Sequence, residues 1–365
     1  MTEKNEFHLL NAVISGIMVG KTSEKRGSVM TRIYLIRHAE AEGNLFRVAH
    51  GQYNSTITPQ GYRQLAALRR RFDGVTLDAV YGSDLLRAHT TAAALYVPRG
   101  LPFRPMPALR EIRIGGWEQQ TWGALQRLDM ENYVNFNKHP QLWHAQGAET
   151  FAQVRDRMLA AVRQIAAEHP GGTVAAASHG SALRTLLGTL QGMSLEEIGA
   201  TGHGDNTAVS LLEAEGDQIR VIYRDDNSHV PPELSTFRRQ AWHRDDAATE
   251  PGLWFRGVRE DPAGRALEAM LDETPVGRVA FHQEGETLRV TDYEIVPAFR
   301  GQRFGVQLLG QAVQFARTLG LETLAVDCGA DLADYFLKYG FGRAVPRGDA
   351  LRVELDFRRV IREIP

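Results

Sequence analysis

Between residue 31 and about residue 225, short apolar runs alternate with longer stretches of helical periodicity. Few folds accept that order. Residues 33–36 read as a buried strand. Residues 59–72 place Leu65, Leu68 and Phe72 at helical spacing. A strand-like run at 77–81 precedes a helical one at 85–96. The stretch 151–169 sets Val154, Met158, Ala161 and Ile165 on one face, and a strand at 173–177 leads into a helix at 181–190. Strands separated by helices require a largely parallel sheet covered on both faces, because each parallel connection must cross over the sheet. Residues 209–214 and 219–223 predict a closing hairpin. The expected class is α/β.

The chain has 365 residues, long for one domain and ample for two. The alternation stops in 226–251, where Pro231-Pro232, several Arg and His residues and Asp245-Asp246 predict a linker. The second unit, 252–365, is expected to be mixed α+β. It offers strands at 276–282 and 288–296, a turn and helix over 300–319, a strand at 323–328, a helix at 332–339 and a last strand at 351–357. Residues 1–29 hold an apolar run too short to span a bilayer. Glu3 and Glu6 ahead of that run disfavour a secretory signal, so 1–29 is expected to be a disordered extension before a domain over 30–225. A formal net charge of -2 gives no field favouring nucleic acid or an anionic membrane. The lone cysteine, Cys328, excludes an intrachain disulfide and any multi-thiolate zinc site, and it fits a reducing, cytoplasmic setting.

Three predicted strand ends carry the chemistry. The first runs into Arg37 and His38, the second through Ser83 and Asp84 to Arg87, the third into Ser178, His179 and Gly180. Ligands of open α/β sheets bind beyond the carboxyl ends of the strands. Neighbouring strands would therefore gather two arginines and two histidines in one crevice. Such a cluster suits a phosphoryl group: arginine forks bind its oxygens, a helix start adds N–H donors, and a neutral imidazole can attack phosphorus. A carboxylic acid is then needed to protonate the leaving oxygen and activate water. Taken singly, Arg87 reads as a surface ion pair, Glu111 as a loop charge and Asn44 as a turn residue. Trp117 is expected in the core, and His50, His89, His139, His144 and His203 in surface or core positions without a role.

Leu35-Ile36-Arg37-His38-Ala39-Glu40, followed by Asn44, resembles the signature of the histidine phosphatases, the phosphoglycerate mutase-like superfamily. The order continues with Ile57-Thr58-Pro59-Gln60-Gly61, Ser83-Asp84-Leu85-Leu86-Arg87-Ala88-His89-Thr90-Thr91, Leu109-Arg110-Glu111-Ile112 with Gly116-Trp117-Glu118, and Ser178-His179-Gly180. The resemblance implies a three-layer sandwich in which His38 is the nucleophile. It also implies that Arg37, Arg87 and His179 hold the phosphoryl group with help from Asn44 and Gly180, that Glu111 is the proton donor, and that no metal is required. Ala39 stands where Gly is usual, and Asn54 where Asp is common. The implied substrate is a small phosphorylated metabolite, and the acid-loop pattern favours a phosphatase over a mutase.

In the second unit, the segment from Tyr293 to Gly305 resembles the coenzyme A loop of the GNAT acetyltransferases. The resemblance implies coenzyme A or acetyl-CoA contacts from Val296 and Arg300-Gly301-Gln302-Arg303-Phe304-Gly305. Tyr335-Phe336-Leu337-Lys338-Tyr339-Gly340-Phe341 is similar to the family's last helix and exit. Two residues depart from the pattern: Arg303 replaces a usual Gly, and Phe336 replaces the Tyr that serves as acid to the leaving thiolate. The expectation is a phosphomonoesterase fused to a GNAT-like domain with weak or absent transferase activity. A bifunctional enzyme, mutase-type phosphoryl transfer and a non-catalytic phospho-ligand sensor are the alternatives.

Overall fold

The computed structural model describes residues 29–240, 252–261, 264–342 and 344–364. The expected extension 1–29, apart from Val29, lies outside the described residues, as does 241–251 of the expected linker. The first unit runs β1 (Thr31–Arg37), α1 (Glu42–Phe46), α2 (Pro59–Arg71), β2 (Ala79–Gly82), α3 (Leu86–Tyr96), β3 (Phe103–Pro105), α4 (Trp122–Leu128), α5 (Met130–Lys138), α6 (Phe151–Glu168), β4 (Thr173–Ser178), α7 (Gly180–Leu190), α8 (Leu195–Gly199), β5 (Val209–Glu215) and β6 (Gln218–Asp226). Its sheet has the order β3-β2-β4-β1-β5-β6, parallel from β3 to β1 and antiparallel through β5 and β6.

Alternate residues of β1 feed two different cores. Ile33 and Leu35 join α6 and α7 on one face, while Ile36 joins α2 and α3 on the other. The two-residue period of a strand demands this split, and it makes the unit a three-layer α/β sandwich. Trp117 lies in the first of these cores.

The second unit runs β7 (Leu253–Asp261), β8 (Gly264–Leu271), β9 (Thr274–Glu284), β10 (Thr287–Ile295), α9 (Phe304–Thr318), β11 (Thr323–Cys328), α10 (Ala330–Lys338), β12 (Val345–Arg347) and β13 (Ala350–Asp356). Its mixed sheet is ordered β12-β13-β11-β10-β9-β8-β7, with only β10 and β11 parallel. The β7–β8 hairpin was not foreseen. Edge strand β7 carries Arg256, Arg259 and Glu260, and charges of this kind protect an edge while hiding its apolar alternation.

Residues 227–240, expected to be linker, pack on the first unit. Thr236 Oγ1 donates to buried Glu40 at 2.9 Å, Ser235 Oγ to Asp205 at 2.6 Å, and Gln240 Nε2 to the Asn44 carbonyl at 2.8 Å. The two units also share a core: Leu45, Phe46 and Val48 of the first cluster with the apolar residues of the second. Among the described residues no helix is long and apolar enough to cross a membrane.

Gly310 of α9 lies against Phe46, so a Cβ there would stand 2.5 Å from Phe46 Cβ and Cγ. In an isolated helix Gly→Ala gains about 1 kcal/mol. Here overpacking of about 1–3 kcal/mol outweighs that gain. Gly310→Ala is therefore expected to lower the denaturant midpoint, and an unchanged or raised midpoint would show that the shared core is loosely packed.

Candidate active site

The register brings the three strand ends level. Arg37 pairs with Ser178 across β1 and β4, Gly82 pairs with Ala177 across β2 and β4, and the His38 N–H donates to Ser178 O at 2.9 Å. The predicted gathering follows from β4 lying between β1 and β2. The rings of His38 and His179 are 5.3 Å apart between centroids. Arg37, His38, Arg87, Glu111 and Gly180 line a cavity of about 280 Å³.

His38 Nδ1 lies 2.8 Å from the carbonyl oxygen of Ala39. A carbonyl only accepts, so Nδ1 carries the proton and Nε2 keeps its lone pair. Burial, then the charges of Arg87 and Arg37, hold the His38 pKa well below its ordinary value. The imidazole is thus neutral at neutral pH. His179 is held down in the same way, first by burial and then by Arg87. Both its ring nitrogens are buried without a hydrogen-bond partner among the described residues, as are Arg37 Nε and Arg87 Nε.

The arginines are fixed by carbonyls. Arg87 Nη1 donates to Tyr53 O at 2.9 Å and Nη2 to Gly51 O at 2.7 Å, and Arg37 Nη1 donates to Gly204 O. Burial pulls Arg87 down to about 10. Thr91 Oγ1 donates to Arg87 O at 2.7 Å and accepts the Ala39 N–H at 2.9 Å, tying the arginine's helix to the strand end that carries His38. Gly180 packs beside Arg37: a Cβ there would stand 3.4 Å from its Nε and Cζ, an ordinary van der Waals contact.

Glu111 reaches the start of α7, accepting N–H bonds from Ser181 at 3.1 Å and Ala182 at 2.9 Å. Arg157 of α6 fixes that loop by donating to the carbonyls of Ala108, Arg110 and Glu111 at 2.8, 2.7 and 3.1 Å. Asn44 faces the cavity, but its Oδ1 accepts from the Ala41 N–H at 3.0 Å and so caps α1. Asn54 Oδ1 accepts the Leu86 N–H at 2.7 Å, giving it a local task at the start of α3.

Sequence reasoning gave no role to His50 and Phe237, and placed His203 and Asn206 at most on the rim, just before the closing hairpin. His50, given no role, lines the cavity with its Nε2 accepting the Gly43 N–H at 2.7 Å. His203 lines it too. Asn206 Nδ2 donates to His38 O at 2.8 Å, and the Arg37 guanidinium sits 5.4 Å from the centre of the Phe237 ring. His50 and His203 stand on irregular loops, where no periodicity aims a side chain. His89 stacks on Phe103 at 4.0 Å, away from the cavity. Among the described residues no group of three or more His, Cys, Asp or Glu gathers as metal ligands would.

The acyl-CoA segment is arranged differently. Val296, Arg300, Gly301 and Gln302 are exposed, and Phe304 and Gly305 are buried. Arg303 adopts φ 63, the left-handed conformation of the usual glycine, but its Nη1 donates across the boundary to Arg239 O at 2.8 Å. Phe336 is in the core. The Tyr293 and Tyr335 hydroxyls bond each other at 2.7 Å and crowd the Cβ direction of Gly305. Burial pushes Tyr335 up to about 12. The exposed stretch 300–302 is open to a ligand phosphate, whereas buried Phe336 has no hydroxyl to give to a leaving thiolate.

Residues 33–227 match the profile of the histidine phosphatase superfamily (branch 1), and residues 218–341 that of the acetyltransferase (GNAT) family. The second match begins inside β6, ahead of residue 252. The chain is 26% identical over 201 residues to putative phosphoserine phosphatase 2 of Hydrogenobacter thermophilus, covering 55% of this chain and 98% of that protein. It is 31% identical over 170 residues to the adenosylcobalamin/alpha-ribazole phosphatase of Escherichia coli, covering 46% of this chain and 82% of that protein. Among solved structures, Bacillus stearothermophilus YhfR aligns with a TM-score of 0.53 and 32% identity over 55% of this chain and 98% of its own. By the profile match and the arrangement of its strand ends, the chain belongs to the histidine phosphatase superfamily, with a GNAT-family domain following the phosphatase domain.

Proposed function

We propose that this chain is a metal-independent phosphomonoesterase acting on a small phosphorylated metabolite through a phosphohistidine at His38 Nε2. The observation that carries the reading is the Nδ1 contact to Ala39 O in a buried cationic cluster, which supports a neutral imidazole with its lone pair on Nε2. Nε2 attacks phosphorus, and the P–O bond to the leaving alcohol breaks. Glu111, protonated in this step, gives its proton to the departing oxygen. Water then attacks phosphorus, Glu111 takes the water's proton, and the P–N bond breaks to free phosphate and His38. Arg37, Arg87 and His179 face the phosphoryl oxygens as charge shifts among them. A cavity of about 280 Å³ suits a metabolite. The relatives named as phosphoserine and alpha-ribazole phosphatases support the same substrate class.

The GNAT-family domain transfers no acyl group in this reading. Buried Phe336, the paired Tyr293 and Tyr335 hydroxyls, and an Arg303 engaged at the domain boundary support that assignment. Sustained acetyl-CoA-dependent acetylation of any member of an amine panel would refute it.

His38→Ala is expected to lower phosphate release from a monoester panel by roughly 10³-fold or more. The wild type, quenched in turnover, should carry an acid-labile, alkali-stable phosphoryl label. Equal release by both proteins refutes the nucleophile. Glu111→Gln should slow alkyl phosphates by roughly 10²–10⁴-fold and aryl phosphates with good leaving groups far less. Equal slowing of both classes would remove Glu111 as proton donor.

The same burial sets a pH dependence of stability. The pKa values of His38, His50 and His179 are all held well below the ordinary 6.5. Above 6.5 these groups are neutral in the folded and unfolded chain alike and contribute nothing. Below it the unfolded chain binds protons that the native one refuses, so stability falls with pH until the folded pKa values are reached. Calorimetry from about pH 8 to about pH 5 should show Tm falling below 6.5. A flat Tm across that lower range would contradict the burial of neutral imidazoles.

A further inference from the structure

Helix α9 belongs to the second unit, but its last turn touches residues directly beside those that line the phosphatase site. Arg317 crosses the boundary there with 14% of its side chain exposed. Its Nη1 donates to the Tyr53 hydroxyl at 2.9 Å. Its Nη2 donates to Glu42 Oε1 at 2.8 Å and to Phe357 O at 3.1 Å. The guanidinium lies 5.0 Å from the centre of the Phe357 ring.

Both partners in the first unit belong to segments that shape the phosphoryl pocket. The Tyr53 carbonyl is the acceptor for Arg87 Nη1, and the Tyr53 N–H donates to His50 O at 2.8 Å. Glu42 opens α1, whose next residue, Gly43, gives its N–H to His50 Nε2. Glu42 and Thr56 exchange bonds as well: the Glu42 N–H donates to Thr56 O at 3.1 Å, and the Thr56 N–H to Glu42 Oε2 at 3.3 Å. One planar guanidinium therefore clips together α1 and the 50–56 loop that holds Arg87.

We infer that Arg317 of the GNAT-family domain is a positioning residue of the phosphatase, fixing the Tyr53 carbonyl and through it the phosphate-facing Arg87. As a statement about turnover this rests on the phosphatase reading; as a statement about phosphate affinity it does not. A lysine offers a single point of charge and cannot span Tyr53, Glu42 and Phe357 together. Misplacing a charge-stabilising group by about 1 Å can lower a rate by about 100-fold, so the link has leverage on catalysis.

The test uses the full-length chain, with inorganic phosphate affinity by calorimetry beside kcat/KM on the best monoester. Arg317→Met should lower both by about tenfold or more, and Arg317→Lys should restore only part of the loss. Arg317→Met added to Arg87→Lys should cost little beyond Arg87→Lys alone, because the two act through one contact. Arg127→Ala serves as the control: it breaks another contact across the same boundary, the Arg127 guanidinium 4.4 Å from the centre of the Trp254 ring, and should leave both readouts unchanged. If Arg317→Met folds poorly, Tyr53→Phe removes only the receiving hydroxyl and should shift both readouts in the same direction by less. The inference is overturned if Arg317→Met and Tyr53→Phe match the wild type, if Arg127→Ala loses as much as Arg317→Met, or if the Arg87 and Arg317 losses multiply. A wild type that binds phosphate but releases none from any ester defeats the phosphatase reading alone, and the Arg317 link is still decided by affinity. A wild type that binds no phosphate defeats both.

Discussion

Everything in the first unit answers one constraint: two arginines and two histidines are buried together at the ends of three strands. Taking cations out of water is costly, and carboxylates would be the simplest remedy. The chain uses carbonyl oxygens for most of it, those of Gly51 and Tyr53 for Arg87 and that of Gly204 for Arg37. A carbonyl satisfies a donor without cancelling its charge. The cluster therefore keeps a positive potential for an anion, and its cost appears as depressed pKa values at His38, His179 and Arg87. The consequence is mechanical, because carbonyl clamps work only if the loops that carry them stay in place.

The packing of residues 227–240 and of the second unit meets that need. Thr236, Ser235 and Gln240 bind buried Glu40, buried Asp205 and the backbone of Asn44, all close in sequence to groups that line the cavity. Leu45, Phe46 and Val48 leave the first unit's cores and enter the second's. Nonpolar burial supplies the adhesion, and the hydrogen bonds set the register. Departures that look like damage in a transferase acquire purpose here. Arg303 keeps the left-handed backbone of a glycine while its side chain reaches the Arg239 carbonyl, and Phe336 adds apolar volume to the core.

The sequence was most legible where regular structure aims the residue. Arg37, His38, Arg87 and His179 sit at or just after strand ends, so an alternating pattern and the rules of parallel sheets are enough to bring them together. His50 and His203 stand on irregular loops, where no period predicts direction. Arg157 lies on a helix whose apolar face was plain, but its targets are three loop carbonyls and the Glu149 carboxylate, which no sequence motif encodes. The stretch after β6 misled for a related reason. Prolines, serines and charges read as a solvated linker, because composition records how polar a side chain is and not whether water or a buried carboxylate receives it. Thr236 against Glu40 is the second case.

Helix α9 shows why the fusion of two folds makes mechanical sense. Its 15 residues form a rod of about 22 Å at 1.5 Å per residue. Arg303 at its start holds the Arg239 carbonyl, three residues beyond the threonine that binds Glu40. Arg317 near its end holds Glu42 and Tyr53. Gly310 between them admits Phe46 of α1 to the helix surface. One rigid element therefore touches the 227–240 segment, α1 and the loop that fixes Arg87. Displacing any of the three requires bending the helix or breaking its contacts, so the second domain braces the cavity lined by Arg37, His38 and Arg87 while none of its own residues line it.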